Sequence, residues 1–161
     1  MQILLPPEIV ERLVTALDKA GDREIGGILM GEHIAENVFR VKDLTIQRHS
    51  GSFATFLRLV QDFLKPLRRF FHTTDNNYIR FNYLGEWHSH PSFVLMPSNK
   101  DCETMRDIVD DPDVGANFVV LMIVKLSESR RLDGTMTIYQ PGGREFRGQL
   151  VQESKDDTLA R

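Results

Sequence analysis

The chain is short of several things, and each shortage removes a class of protein. It has a single cysteine, Cys102, so no internal disulfide can form and a reducing compartment is expected. No apolar run reaches the roughly 20 residues that a membrane-crossing helix needs. The opening MQILLPPEIVERL has no basic stretch and soon turns charged and amphipathic, so a secretory leader is not expected and a cytoplasmic location is. Neither sign of charge dominates: a net charge of −3 gives no general reason to expect binding to nucleic acid or to a membrane. No segment repeats, and none is compositionally simple. What is left, 161 residues of which 41% are hydrophobic, is enough to bury one core. A single domain over residues 1–152 is expected, followed by a flexible tail over 153–161.

Hydrophobic periodicity organises the rest. Pro6-Pro7-Glu8 predicts a helix start, since proline suits the first turn and an acid there complements the dipole. Ile9, Leu13, Ala16, Leu17 and Ala20 form its apolar face and Gly21 closes it. Glu24–Met30 reads as a buried strand, provided that another backbone or a ligand lies close to Gly26-Gly27. A turn over Gly31–Glu36 leads to a strand over Asn37–Ile46. There Phe39 and Val41 are out of phase with Leu44 and Ile46, which predicts a bulge near Asp43. Ser52–Phe70 changes to helical spacing, with Ser52 as cap and Pro66 ending or bending the helix. After a polar connection, Arg80–His90 is a third strand and Ser98–Val109 a third helix. Asn117–Lys125, a continuous apolar run, is the pattern of a central buried strand, with Thr135–Tyr139 as its hairpin partner. His33, His49 and His72 fall in turns without ligand spacing and read as solvated. The order αββαβαββ implies an α/β domain built on one mixed sheet.

Chemistry concentrates in Gly85–Asp101, GEWHSHPSFVLMPSNKD. His88 and His90 are two apart, so on a strand both rings share a face. Pro91 turns the chain, and the loop is long enough to bring Asp101 back to the same point. Two imidazoles and a carboxylate are a common catalytic zinc set that leaves a fourth position for water. Structural readings compete. Ser98-Asn99-Lys100-Asp101 also fits a helix capping box, and Cys102 is either an alternative ligand or a lone buried thiol. Glu86 alternates with His88 on the same face, whereas Trp87 and Ser89 face the other way and read as packing residues.

The run His88-Ser89-His90-Pro91, with Ser98 and Asp101 following at this spacing, resembles the signature of the JAMM (MPN-plus) metalloprotease family. That signature also has a glutamate far upstream on an early strand, and Glu24 in EIGGILMG matches it. The resemblance runs from about Glu8 to Tyr139. It implies an MPN-type, cytidine-deaminase-like mixed sheet flanked by helices. It also implies that His88, His90 and Asp101 hold Zn2+, that Glu24 is the general base, and that Ser98 donates to the oxyanion. Glu86 is the rival base.

Family members mostly hydrolyse the bond after the C-terminal tail of ubiquitin or a ubiquitin-like protein. The compact form and the wording Gly-Glu-Trp-His-Ser-His-Pro resemble bacterial stand-alone members. Those accompany activating and conjugating enzymes, in some cases in antiphage systems. There the substrate is a ubiquitin-like protein, or a nucleotidyltransferase attached through its C-terminus. Two other implied readings are a peptidase acting on a sulfur-carrier adduct and a non-catalytic MPN scaffold, although scaffolds lose the ligands that this chain keeps. A zinc deaminase fits least, because no second Cys or His completes its metal set.

Overall fold

Short apolar segments punctuated by proline and glycine fold here into one curled sheet with a helix on one face and two on the other. The computed structural model describes residues 1–47 and 56–154, with 56–63 described by backbone alone. Its elements are β1 (Gln2–Leu5), α1 (Pro7–Ala20), β2 (Gly26–Ala35), β3 (Val38–Leu44), α2 (Phe56–Thr73), β4 (Phe81–Ser89), α3 (Asn99–Asp110), β5 (Val119–Leu126), β6 (Leu132–Gln140), β7 (Arg144–Arg147) and β8 (Gln149–Gln152). The strands lie in the order β7-β6-β5-β4-β2-β3-β1-β8. Parallel pairs join β1 to β3, β1 to β8 and β4 to β5, and the remaining pairs are antiparallel. The sheet is therefore mixed, as expected.

β7 and β8 are separated by Gly148 alone yet occupy opposite ends of the strand order, so the sheet curls until its two ends meet. At the seam the Gly148 N–H donates to the Met136 carbonyl at 3.0 Å. A Cβ on Gly148 would lie 2.5 Å from the Met136 methyl and 2.6 Å from Ile138 Cδ1, so those side-chain ends would have to shift to admit one.

α1 covers one face of the sheet with Ile9, Leu13, Ala16 and Leu17, which pack with Leu29, Trp87, Val120, Met122 and Ile138. On the other face, Met105, Ile108 and Val109 of α3 lie against Val119, Leu121 and Ile123. Phe70 of α2 lies there too, against Ile28 and Met30. β5 is sandwiched between these layers. Its six residues Val119–Val124 are each at most 2% exposed, which is why both of its faces are apolar. Burying each such side chain is worth about 1.5–3 kcal/mol.

Several expectations need correction. The turn expected over Gly31–Glu36 is strand as far as Ala35. Charge pairing and ring stacking stabilise that polar stretch: Arg80 Nε donates to Glu32 at 2.8 Å, and His33 stacks on Phe39 at 4.8 Å. His33 is therefore a strand residue, although exposed. α2 passes through Pro66, within the expected Ser52–Phe70 range, and runs on to Thr73, anchored beyond the proline by buried Phe70. His72 thus sits in its last turn. The Ser52 cap and His49 lie outside the described residues, as does the tail beyond 154. Glu153, expected in that tail, accepts from Arg40 at 2.9 and 2.7 Å. β1, β7 and β8 were not anticipated. The bulge near Asp43 is present: Met30 pairs with Asp43 and Gly31 with Val41, leaving Lys42 extra.

Gly27 and Gly85 are among the glycines fixed by the close approach of another backbone. Gly27 would direct a Cβ to 2.1 Å from the Thr45 carbonyl oxygen, so the backbone approach that the Gly26-Gly27 pair required is that of β3's end. Gly85 has φ +145°, and a Cβ there would meet the Val120 carbonyl oxygen at 2.0 Å. Gly85→Ala is expected to cost more than about 2 kcal/mol. Gly142→Ala, with φ +78° but open space around it, is expected to cost only the ~1–2 kcal/mol of left-handed backbone. Urea unfolding midpoints of the two variants measure the difference, and equal losses would contradict it.

Candidate metal centre

β4 is hydrogen-bonded on both sides, antiparallel to β2 and parallel to β5. Its pairing with β2 slips once. Leu29 faces Gly85 while Met30 faces Tyr83, so Leu84 is an inserted residue. The slip puts Leu84 and Trp87 together in the α1-side core. Tyr83, Glu86 and His88 are left on the face that carries α3. Trp87 is fully buried and its indole N–H donates to the Thr45 carbonyl at 2.9 Å. Ser89 Oγ accepts from the Ile25 N–H at 2.9 Å. Both are packing residues, as expected.

His88 lies level with Gly26 of β2 and Ile123 of β5. The strand ends there, the His90 N–H donates to the Val124 carbonyl at 3.0 Å, and Pro91 turns the chain. The chain returns at Ser98, the N-cap of α3. Ser98 Oγ accepts from the Asp101 N–H at 3.2 Å, and Asp101 Oδ2 accepts from the Ser98 N–H and from the Ser98 hydroxyl, each at 2.7 Å. The capping box is real, and it aims the Asp101 carboxylate back at the strand end. His88 Nε2 is 3.0 Å from His90 Nε2 and 3.7 Å from Asp101 Oδ2, with the two rings stacked at 4.8 Å.

These three groups form the metal-competent cluster found among the described residues. Bonds of 2.0–2.1 Å in a tetrahedron place ligand atoms about 3.3 Å apart, a spacing that the two measured distances bracket. The protonation also fits. His90 Nδ1 lies 3.0 Å from the Val94 carbonyl, which can only accept, so Nδ1 carries a hydrogen and Nε2 is the nitrogen turned toward the cluster. Burial pushes the His88 pKa down to about 4; Asp101 opposes that and His90 adds to it. His88 is therefore neutral at pH 7, as a ligand must be. The set suits a divalent ion that takes nitrogen and oxygen ligands.

Glu24 stands apart. It is exposed, it precedes β2 rather than opening it, and β2 is the second strand of the chain. Backbone pairing of Ile25 with Ser89 and of Gly26 with His88 nevertheless sets it beside the end of β4. Its carboxylate makes no hydrogen bond to the cluster. Cys102 is not in the cluster and accepts the Tyr139 hydroxyl at 3.4 Å. Glu86, two residues from His88 on the same face, is 4% exposed, and burial, then the charge of Asp101, raises its pKa to about 7. It also lines a groove of about 940 Å³ between α2 and the approach to β5, with Ile28, Leu67, Phe71, Tyr83 and Ala116. The groove's walls come from three separate regions of the chain, so no local pattern announces it.

The fold and this cluster define a class, and comparison with known proteins agrees. Residues 6–134 match the family model described as prokaryotic homologs of the JAB domain, so the chain belongs to that family. It is 30% identical over 125 residues to a protein of Enterobacter hormaechei subsp. hoffmannii named CD-NTase/cGAS isopeptidase. That match covers 76% of this chain and 66% of the relative, just under two thirds of its length. Among solved structures, a Desulfitobacterium hafniense protein superposes with TM-score 0.65 at 16% identity, covering 95% of this chain and 94% of that one. A Salinibacter ruber protein gives 0.54 at 17%, covering 94% and 92%. These two share the fold.

Glu86 allows a test by pH. Between its ordinary 4.5 and about 7 the folded state keeps a proton that the unfolded chain has released. Stability therefore falls as pH rises through that window and stays reduced above it. Glu86→Gln is expected to stabilise the metal-free protein at pH 8 by up to about 3 kcal/mol, an advantage that vanishes near pH 4. The opposing contribution of His88 is common to both proteins and cancels. Denaturant midpoints across pH measure this, and a difference that does not vary with pH would overturn it.

Proposed function

We propose that the chain is a zinc-dependent isopeptidase or peptidase, cleaving after the C-terminal tail of a ubiquitin-like protein or of a conjugated protein. The observation that carries it is the convergence of His88, His90 and Asp101 in a chain of the JAB family. The named activity of the Enterobacter relative supports the isopeptidase class, and with it a nucleotidyltransferase conjugate as one substrate. A role in antiphage defence follows from the likeness of the motif to bacterial stand-alone members. Activating and conjugating enzymes of the same system are the expected partners. The groove that begins at Glu86 is open and largely apolar, which suits an extended tail.

His88, His90 and Asp101 would hold the ion. Zinc bound there would supply Lewis acidity and lower the pKa of a coordinated water to about 7. Glu24, at the rim beside the strand end, takes the proton of the attacking water and delivers it to the leaving amine. That delivery is required, because a lysine amine with a pKa near 10.4 departs only when protonated. Ser98 donates its hydroxyl proton to the substrate oxygen as charge develops there. In the structure that proton goes to Asp101 Oδ2, so the role requires a rotation of the hydroxyl. The side chains of Phe93, Val94 and Met96 stand exposed next to His90 and offer apolar contact to whatever enters.

Glu24→Gln is expected to reduce turnover by about 10²–10⁴-fold with zinc still bound. His88→Ala and Asp101→Ala are expected to lose zinc affinity by at least the 10–100-fold that outer-shell changes cost. Mass spectrometry of a ubiquitin-like fusion incubated with wild type and Glu24→Gln tests activity and base together, and metal analysis tests the ligands. Cleavage by wild type alone supports the proposal. Cleavage by Glu24→Gln at the wild-type rate would hand the base role to Glu86, and a folded protein that takes up no zinc would end the enzyme reading. A sulfur-carrier adduct offered beside the fusion separates a biosynthetic peptidase from a deconjugating one.

A further inference from the structure

Residues 91–98 bridge β4 and α3, and little of this loop is buried. Phe93 is 63% exposed, Val94 70% and Met96 63%, so three of its apolar side chains bury little, although the Phe93 ring meets the His90 ring edge-on at 6.3 Å. Only Leu95 packs inward, beside the core under α3. Within the loop the Val94 carbonyl accepts from the Met96 N–H at 2.9 Å, and a pair of side-chain bonds to consecutive carbonyls ties the loop to the rest of the molecule. The Val94 carbonyl accepts from His90 Nδ1 at 3.0 Å, and the Leu95 carbonyl accepts from Thr135 Oγ1 at 2.7 Å.

Thr135 is on β6, far from the loop in sequence and level with it in space. It pairs with Ile123 of β5, which pairs with His88 of β4, so the three side chains stand in one row across the sheet on the face that carries α3. The loop arches over that row, tied at one end to a histidine of the cluster and at the other to the Thr135 hydroxyl. The Val94 carbonyl sets which nitrogen of His90 carries the hydrogen, and therefore which nitrogen offers its lone pair.

We propose that Thr135 is a positioning residue for the metal centre: its bond to the Leu95 carbonyl holds the Val94 carbonyl where it keeps His90 in the Nδ1–H tautomer, with Nε2 aimed at the ion. This rests on the reading of His88, His90 and Asp101 as ligands. The sheet thereby supplies a second, non-local support for a ligand whose own strand has already ended.

The test uses Thr135→Val, which keeps the shape and removes the hydroxyl, Thr135→Ser, which restores it, and Thr137→Val, the same change two residues along the same strand face. Zinc affinity is measured by competition with a chromophoric chelator, and the His90 tautomer by long-range proton–nitrogen correlation on the metal-free protein. Thr135→Val is expected to bind zinc about 3–10-fold more weakly, less than the 10–100-fold of a direct partner. It should also shift the His90 signals toward a tautomer mixture, with Thr135→Ser and Thr137→Val matching wild type. Wild-type affinity together with unchanged His90 signals in Thr135→Val would overturn the proposal. So would a loss that Thr135→Ser fails to restore or that Thr137→Val reproduces. If Thr135→Val folds poorly, Thr135→Ala is read in the same way. Should wild type take up no zinc, the ligand reading fails, and the tautomer measurement still decides the role of Thr135.

Discussion

β4 is paired along both edges, and everything at the site depends on that. A strand with neighbours on both sides cannot shift its register without breaking two ladders. The single slip at Leu84 is therefore locked by the contact of Gly85 with the Val120 backbone. The slip decides which side chains face which layer. Trp87 goes to the core under α1, while Glu86 and His88 go to the opposite face, where α3 begins. A strand shifted by one residue would bury the wrong set.

The electrostatics follow from that placement. Glu86 and His88 sit under packed layers rather than in water, so each is driven toward its neutral form, Glu86 upward and His88 downward. For His88 the consequence is useful, since a neutral imidazole is a ligand and a charged one is not. Asp101 is treated differently. Its carboxylate accepts from the Ser98 N–H and hydroxyl at the start of a helix. Two imidazole nitrogens and a carboxylate oxygen within a few ångströms are a donor set for a cation.

How much of this was legible in the sequence depended on how local the cause was. The His88–Asp101 stretch could be read because strand alternation, a proline stop and a capping box are all short-range. α1 and β5 were readable for the same reason, through their face patterns. β1, β7 and β8 were not. β1 owes its place to β3 and β8, partners remote in sequence, and β7 is exposed along its whole length and shows no burial pattern. The extension of β2 past Gly31 was hidden because its polar residues are satisfied by Arg80 and Phe39 from other elements. The loop's tie to Thr135 runs through a backbone carbonyl, a group that every residue possesses, and so leaves no trace in residue types.

The same atoms that start α3 also complete the cluster, and this bears on how the Ser98-to-Asp101 motif is understood. A capping box and a place in the cluster look like competing explanations, yet Asp101 Oδ2 caps the helix and lies 3.7 Å from His88 Nε2. A carboxylate oxygen has about two lone pairs, so Oδ2 keeps the Ser98 N–H and can face a cation once the Ser98 hydroxyl rotates away. Fixing it by the cap removes the rotamer freedom that a flexible aspartate would lose on binding an ion. Helix initiation thus preorganises the carboxylate that the cluster would offer to an ion. It explains why the Asp101 position lies one turn inside a helix rather than in the loop: there the backbone that defines the helix also defines where the charge points.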